Sequence, residues 1–404
     1  MNNSPLEFLA KKYGNIVKYD KNGNVIGIFV RFKKCKSSDL VEGLPEHTHP
    51  AFIINGVEQD SILLGKYKVG ETGLDSGPLL SMPNIMPANS MGADQMRSRI
   101  RAAGFGISGM TCADYGFVKL LAQKEGWIPK GNTSWGQSHK DATAWKVGDS
   151  MQVGTERAYE GYLYRCLIAH TAVAELKPDI SFDYWEKIEF IGGVSYDNNK
   201  NDIRQTGFRT LNGSGPSEWY LGSNLGNMTD IIGSSLEWQY GYRIYDGELQ
   251  ILENNNAADL NTDLSAGSAA WKAILPNKGN DGYALVTPGT VGTLHWNWTG
   301  SAIQLDTQCD TLDDTYRETE FKKLTANPSR LPFVPSIIKE LGLYPTSSKD
   351  ETEGNCFIHF MKGELLSSRG GHYNLTNRSG LGCIYAYYKR DQELAYYGGR
   401  SRCL

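Results

Sequence analysis

Aromatic residues concentrate near the C-terminus of this chain, in residues 368–404. Between two glycine-flanked arginine motifs, Arg369-Gly370-Gly371 and Gly398-Gly399-Arg400, the segment holds six tyrosines: Tyr373, Tyr385, Tyr387, Tyr388, Tyr396 and Tyr397. Charged residues such as Lys389 and Asp391 stand among them, and a core rarely tolerates such residues without partners. Because tyrosine gives wide, stiff contact area at little entropic cost, the pattern favours a binding surface over an aromatic core.

The sequence supports a metal site less strongly than it supports a tyrosine-rich binding surface. His47 and His49 lie two residues apart, so on a strand they would share a face and could ligate a metal ion. A third ligand is not evident nearby, and the seven cysteines include no CxxC pair. We therefore predict no metal site and no cofactor. We also predict reduced, partly buried thiols, with Cys383 and Cys403 as the one pair that could close a disulfide.

Catalytic constellations are also missing from the sequence. It contains no G-x-S-x-G elbow and no glycine-rich phosphate loop after a strand. Carboxylates do come in close pairs, at Asp313-Asp314 and at Glu318 and Glu320. A solvated helix face explains these pairs better than a glycosidase site does. The sequence predicts that the protein is not an enzyme.

The amino-acid composition limits the domain size and the kinds of partner that we expect for this protein. The 404 residues carry a net charge of -4 and are 40% hydrophobic, which predicts a globular protein of one large domain or two. A net negative charge removes nucleic acid and anionic membranes as default partners. The N-terminus lacks the apolar stretch of a secretory signal, and no apolar run approaches the ~20 residues of a membrane helix. We expect synthesis in the cytoplasm without membrane insertion.

Local patterns predict an α+β fold of mixed short strands, with two or so helices and much irregular loop. The turn Lys21-Asn22-Gly23-Asn24 predicts a hairpin over 14–34, and Asp246-Gly247 predicts a second one. Thr111, with Asp114 in the capping-box position, begins a helix over 111–127. The remaining predicted elements are an irregular polar segment over 252–300 with a strand at 294–298, a short helix over 333–344 ending at Gly342, and a strand at 356–360.

Residues 141–189 differ in character from the rest of the chain. Their order of Trp145, Tyr162, Tyr164, Cys166 and Trp185 is similar to small β-modules of the chitin-binding kind. That resemblance implies that Trp145, Tyr162 and Trp185 could stack on sugar faces. The alternative, which we weigh more heavily, is that Trp145, Tyr164 and Trp185 form the core of the module, because so small a unit has little else to bury.

The motif-bounded segment 368–404 resembles the variable region of retroelement-diversified proteins, which carry a C-type-lectin-like fold related to formylglycine-generating enzymes. Residues 49–67 (HPAFIINGVEQDSILLGKY), 209–219 and 236–251 are similar to further parts of that fold. The resemblance implies a lectin-like domain in two parts, 1–140 and 190–404, interrupted by the inserted β-module 141–189. Within it, Glu237 and Trp238 are expected to be structural.

The resemblance also implies which positions vary and contact a ligand. In that family these positions derive from asparagine codons mutated at adenine. The matching positions in this chain are His372, Tyr373, Asn374, Thr376, Asn377, Ile384, Tyr385, Tyr387, Tyr388, Asp391, Ala395, Tyr396 and Tyr397.

The function implied is that of a phage receptor-binding, tropism-determining protein at the tail tip of the virion. Its expected partners are a host-cell-surface receptor, protein or glycan, other virion tail proteins, and further copies of itself in a homo-oligomer, with a trimer as the family expectation. The alternatives are a cellular ligand-binding variable protein and a carbohydrate-binding module acting through 141–189. A formylglycine-generating-type oxidase is disfavoured, because Cys383 and Cys403 lack the close spacing that a thiolate copper site needs.

Overall fold

A computed structural model of the chain describes residues 5–71, 77–197, 202–204, 209–277, 282–347, 350 and 352–404. The architecture is mixed α+β, with many strands and few helices, as the sequence predicts. No helix within these ranges is long and apolar enough to cross a membrane.

A six-stranded sheet joins the two ends of the chain. The predicted N-terminal hairpin is confirmed, with Ile16 opposite Phe29. The last strand of the chain inserts between two strands from the first part of the chain, so the C-terminal segment is fixed to the N-terminal region. In spatial order the strands are Ile16–Tyr19, Val25–Lys33, Leu80–Ser81, Ser61–Gly70, Arg400–Cys403 and Ile107–Gly109.

A twelve-stranded sheet carries most of the C-terminal half. The predicted Asp246-Gly247 turn is confirmed, since it joins two paired strands. The main path of the sheet runs through Thr315–Glu320, Asn355–Phe360, Gly380–Tyr388, Glu364–Gly370, Leu236–Tyr245, Glu248–Leu252, His295–Trp298, Ile303–Asp306 and Thr325–Ala326. Trp271–Pro276, Tyr283–Val286 and Tyr397–Gly398 pair off this path.

Two sequence predictions about this sheet are wrong. The carboxylates at 313–320 do not lie on a helix, because Thr315–Glu320 is the edge strand of the sheet and pairs with Asn355–Phe360. The segment 252–300 is less irregular than predicted, since Trp271–Pro276 pairs with both Glu248–Leu252 and Tyr283–Val286. The partner of Thr315–Glu320 lies elsewhere in the chain, where a local pattern does not reveal it, whereas Trp271–Pro276 and Tyr283–Val286 pair within the segment itself.

The longest helix, Cys112–Glu125, begins and ends as the sequence predicts. The Asp114 N–H donates to Thr111 Oγ1 (3.1 Å), the Thr111 N–H donates to Asp114 Oδ2 (2.9 Å), and Gly126 closes the helix at φ 64°. The helix predicted over 333–344 is confirmed in a shorter form, Ser336–Glu340. The other α-helices are Pro5–Lys12 and Ala93–Arg101, and the 3₁₀ turns are Pro50–Phe52, Ala174–Leu176, Ser217–Trp219, Leu221–Ser223, Glu253–Ala258, Phe321–Lys323 and Thr376–Arg378.

The region predicted as an inserted module forms small sheets of its own. Glu156–Tyr159, Tyr162–Cys166 and Trp185–Phe190 make a three-stranded sheet, and Ser150–Met151 pairs with His170–Thr171. Two further two-stranded sheets are Ile53–Ile54 with Val57–Glu58, and Ser195–Asp197 with Asp202–Arg204.

Candidate binding surface

The arginine of the second motif is a buried structural clamp. Arg400 Nη2 lies 2.8 Å from Glu237 Oε1, and the Lys68 ammonium lies 2.7 Å from the same oxygen. Arg400 also donates to the carbonyl oxygens of Gly65 (3.0 Å) and Thr229 (2.9 Å). All three charged side chains are fully buried, so the network joins the end of the tyrosine-rich segment to both large sheets. Glu237 is therefore structural, as expected.

The arginine of the first motif is equally buried but is held by carbonyl oxygens. Arg369 donates to the backbone oxygens of Cys383 (2.8 Å), Gly342 (2.8 Å) and Leu381 (3.1 Å). Its guanidinium carbon lies 4.6 Å from the centroid of the Tyr115 ring, a cation–π distance. The two motifs fix the ends of the segment and do not themselves face solvent.

Glycines of the first motif are required by geometry. Gly371 has φ 82°, and a Cβ placed on it would lie 2.2 Å from Ser379 Oγ. Gly370 has φ 88°, and its Cβ would lie 2.4 Å from the carbonyl oxygen of Ile231. Both positions combine a left-handed backbone with a close approach, so only glycine fits.

A β-bulge brings three tyrosines together on strand Gly380–Tyr388. Leu366 pairs with Tyr388 and Ser368 pairs with Tyr385, so two residues of this strand stand opposite one residue of its neighbour. The extra residue shifts the alternation of side chains, and Tyr388 joins the face that carries Tyr385. The Tyr387 and Tyr388 rings meet edge to face at 4.3 Å.

The chain after this strand is held against the scaffold by Arg390. Its guanidinium donates two hydrogen bonds to Glu364 (2.9 and 2.8 Å) and one to Asp94 (2.7 Å). The Arg390 carbonyl oxygen accepts from the Ala93 N–H at the start of a helix (2.8 Å). This anchored loop borders an open cleft of about 720 Å³, which Lys389 and Asp391 also line. Polar contacts to two distant elements therefore fix the position of the loop.

Aromatic rings form a continuous band across this part of the protein, with centroids of neighbouring rings 4.3 to 6.3 Å apart. The band, which we call the aromatic band, consists of Trp135, Tyr316, Phe357, His359, His372, Tyr373, Tyr385, Tyr387, Tyr388, Tyr396 and Tyr397. Four members lie outside residues 368–404 and were missed by sequence reasoning: Trp135, Tyr316, Phe357 and His359. Tyr316 lies on an edge strand that is defined by its pairing with Asn355–Phe360, and the other three join the band through tertiary contacts, so local sequence patterns reveal none of the four.

The predicted contact positions divide into three groups by exposure. Exposed positions are Asn374, Thr376, Asn377, Asp391 and Ala395, and half-buried positions are Tyr385, Tyr387, Tyr388 and Tyr396. The buried positions are His372, Tyr373, Ile384 and Tyr397.

Two of the buried positions need correction as ligand contacts. Ile384 and Tyr397 are fully buried: Ile384 fills the main core, and the Tyr397 ring stacks on Trp238 at 4.4 Å. A side chain without accessible surface cannot contact a partner. His372 and Tyr373 retain slight exposure, and the His372 ring stacks under Tyr396 at 4.5 Å. These residues support the surface from below.

The aromatic band contains groups that are held neutral. Burial raises the pKa of Tyr385 and Tyr396 and lowers that of His372 to about 4. These side chains are therefore uncharged at neutral pH. The Tyr388 and Tyr396 hydroxyls lie 3.3 Å apart, within hydrogen-bonding distance. The band thus offers apolar faces and hydroxyl groups rather than charge.

The region 141–189, which the sequence predicts to be an inserted module, does not present Trp145 and Trp185 to solvent. Trp145 and Trp185 lie in the core of the module with Tyr164, so the prediction that Trp145 and Trp185 stack on sugars is wrong. The rings are buried because so small a unit has little else with which to form a core, as the alternative interpretation of the sequence predicts. Tyr162 is half-buried, and the Lys187 ammonium lies 3.1 Å from its ring centroid.

The two histidines that could have ligated a metal ion, His47 and His49, instead make structural contacts. His47 Nε2 lies 2.7 Å from Glu340 Oε1, His49 Nε2 lies 3.1 Å from the Glu340 carbonyl oxygen, and His49 Nδ1 accepts from the Ala51 N–H (3.2 Å). Burial lowers the pKa of His49 to about 4, so it is neutral. Within the described residues, no group of three or more histidine, cysteine or acidic side chains could hold a metal ion.

All seven cysteines lie in the described part of the chain and are free thiols, as predicted. Burial raises the pKa of Cys383 to about 12 and also raises that of Cys403. Both thiols are therefore protonated at neutral pH, and they form no disulfide.

In comparisons with known proteins, no protein-family model and no curated protein matches this sequence. The aromatic band and the buried arginine clamps that hold it are therefore the features from which a function is inferred.

Proposed function

We propose that this protein is a phage receptor-binding protein that presents the surface of residues 368–404 to a receptor on the host cell. The observation that carries the proposal is the aromatic band, in which half-buried tyrosine rings form one continuous surface. Tyrosine and tryptophan dominate the energetics of recognition surfaces, because each ring gives a large contact area for few rotatable bonds. Buried arginines fix the ends of the segment, so little ordering entropy is lost on binding.

The scaffold that we propose is C-type-lectin-like and carries a diversified segment. The resemblance of the two arginine motifs to those of retroelement-diversified proteins supports this assignment. The buried roles of Arg369 and Arg400 give the motifs a physical reason to stay fixed while residues between them change. Exposed polar residues around the tyrosines, such as Asn374 and Asp391, would adjust the preference for one receptor over another.

Attachment by such a surface gains strength from copy number. We propose a homo-oligomer, with a trimer as the expectation, joined to other tail proteins in the virion. Several weak sites that engage one cell surface together bind far more tightly than one site alone.

The experiment that tests the proposal is sequencing of this locus in several isolates. We expect substitutions to concentrate at the exposed and half-buried positions of 372–397, for example Asn374, Tyr387 and Asp391. We expect them to spare Ile384 and Tyr397, because the core leaves no room for other shapes. Exposed residues outside the segment serve as the internal control. An invariant segment, or substitutions spread evenly over buried and exposed positions, would refute the proposal.

A further inference from the structure

An exposed tryptophan occupies the tip of a tight turn beside the C-terminal segment. Ser134 and Gln137 pair as an antiparallel bridge, and Trp135 and Gly136 form the two-residue turn between them. Both turn residues have positive φ, 51° at Trp135 and 100° at Gly136. Turns of this kind favour asparagine or aspartate followed by glycine, because a large side chain is disfavoured in the left-handed region.

The strain at Trp135 is not relieved by burial of its ring. The residue is 47% exposed, and its indole lies 5.1 Å from the Tyr373 ring at the end of the aromatic band. The turn itself is firmly built, since the Gly136 N–H donates to Asn132 Oδ1 (2.7 Å) and the Gly193 N–H donates to the Gly136 carbonyl oxygen (2.8 Å). A strained backbone that is held in place to expose an aromatic ring points to a binding role.

The neighbouring residues of the C-terminal segment complete a small surface. The Trp135 N–H donates to the Tyr373 carbonyl oxygen (2.7 Å), and the Thr376 N–H donates to the Thr133 carbonyl oxygen (3.0 Å). Thr376 is exposed and also has positive φ, 52°, which is unusual for a β-branched residue. Two strained, exposed residues from distant parts of the chain are thus held side by side.

The exposed side chains of residues 374–377 are polar but uncharged, and the half-buried Arg378 that follows them pairs with Glu318 at 3.4 Å. Asn374, Thr376 and Asn377 are exposed next to Trp135 and supply amide and hydroxyl groups that both donate and accept hydrogen bonds. Sugar rings present an apolar C–H face and a rim of hydroxyl groups, which match an indole face and neutral polar side chains. An acidic sugar or a phosphate would instead call for an unpaired cation among these groups, whereas Arg378 is paired with Glu318.

We propose that Trp135 and the loop 373–377 form a binding subsite for neutral glycans, with the indole as the stacking platform. The inference rests on the proposed receptor-binding function and names the ligand class for part of that surface. Trp135 lies outside residues 368–404, so it would remain a constant contact while the residues around it vary.

The test uses the full chain and the variant Trp135→Asn. Isothermal titration with hexasaccharides of glucose, mannose, galactose and N-acetylglucosamine measures binding. We expect at least one of them to bind the unaltered protein and the variant to bind it at least tenfold more weakly. The variant should also unfold at a higher temperature, because asparagine suits the left-handed backbone that tryptophan strains. Trp127→Asn is the control, since Trp127 is also exposed but lies outside the aromatic band, and it should bind normally.

Three results would overturn the inference: no hexasaccharide binds, Trp135→Asn binds as well as the unaltered protein, or the variant loses both stability and binding as a structural residue would. The sequencing experiment separates this failure from failure of the proposed function. Variation confined to exposed positions of 372–397 without sugar binding would leave receptor binding in place and favour a protein receptor. Sugar binding that depends on Trp135, with an invariant segment, would retain the glycan subsite and remove the diversified receptor-binding role.

Discussion

The buried network around Glu237 gives a sharp test of how the tyrosine-rich segment is anchored. Its carboxylate is bonded to the Lys68 ammonium and the Arg400 guanidinium, and none of the three side chains is exposed. Glu237→Gln keeps the shape of the side chain and removes its charge. Two buried cations would then lose the carboxylate that they contact, which is the costly outcome for a buried ion pair, and Asp230 would be the buried acidic group that still acts on both.

We expect Glu237→Gln to lower the free energy of unfolding by about 3–5 kcal/mol, the usual cost of removing one partner from a buried pair. Chemical denaturation followed by tryptophan fluorescence measures this difference. Glu58→Gln is the matched control, because Glu58 pairs with Lys34 at 3.0 Å but both side chains are substantially exposed. Solvent screens such a pair, so the control should unfold at nearly the same denaturant concentration as the unaltered protein.

The pH dependence of the variant adds a second check. Burial lowers the pKa of Lys68, whereas Glu237 raises it. Without the carboxylate the pKa of Lys68 falls further, so the native state binds fewer protons than the unfolded state at alkaline pH. Stability then rises with pH. The deficit of the variant should shrink as the pH rises towards the ordinary pKa of a lysine, because Lys68 of the variant loses its proton at a lower pH than Lys68 of the unaltered protein. A loss below about 1 kcal/mol, or a deficit independent of pH, would refute this account of the network.

Two further predictions concern the segment itself. Gly371→Ala should cost about 1–3 kcal/mol more in unfolding free energy than Gly363→Ala. Gly363 has a similar positive φ, but a Cβ placed on it would meet no atom within 4 Å, so the control isolates the clash with Ser379. Burial lowers the pKa of His372 to about 4. Between pH 6.5 and pH 4 this histidine therefore takes up a proton in the unfolded state but not in the native state, and the free energy of unfolding falls as the pH falls. His372→Phe should keep the ring stack on Tyr396 and should lose less unfolding free energy than the unaltered protein between pH 6.5 and pH 4, as measured by chemical denaturation at both pH values. An equal loss in the two proteins would contradict this role of His372.

The parts of the fold that the sequence predicts are those decided by adjacent residues. The Asn22-Gly23 hairpin, the Thr111 capping box and the Asp246-Gly247 turn each depend on a few neighbouring side chains and backbone angles. The edge strand Thr315–Glu320 was missed because its role depends on pairing with Asn355–Phe360. Strand identity at an edge is set by the partner more than by the residues themselves.

The candidate site shows the same division. Its location follows from the crowding of tyrosines between two arginine motifs, which is visible in the sequence. Which tyrosines face solvent does not follow, because the bulge at Tyr387 changes the alternation and Tyr397 turns inward onto Trp238. The contact between Trp135 and Tyr373 joins residues far apart in the chain, and only the folded structure brings them together.

Stability and recognition occupy different residues in this segment. The buried guanidinium groups of Arg369, Arg400 and Arg402 are stabilised by hydrogen bonds and ion pairs. Their partners are backbone carbonyl oxygens, Glu237 and Asp114. None of these groups reaches the surface, so an exposed residue such as Asn374 can change without breaking the network. Surface substitutions of that kind usually shift unfolding free energy by no more than about 0.5 kcal/mol. This segment is held at both ends by buried arginines and in between by Arg390, so its exposed side chains can be substituted while the fold stays the same. A diversified binding protein requires that property.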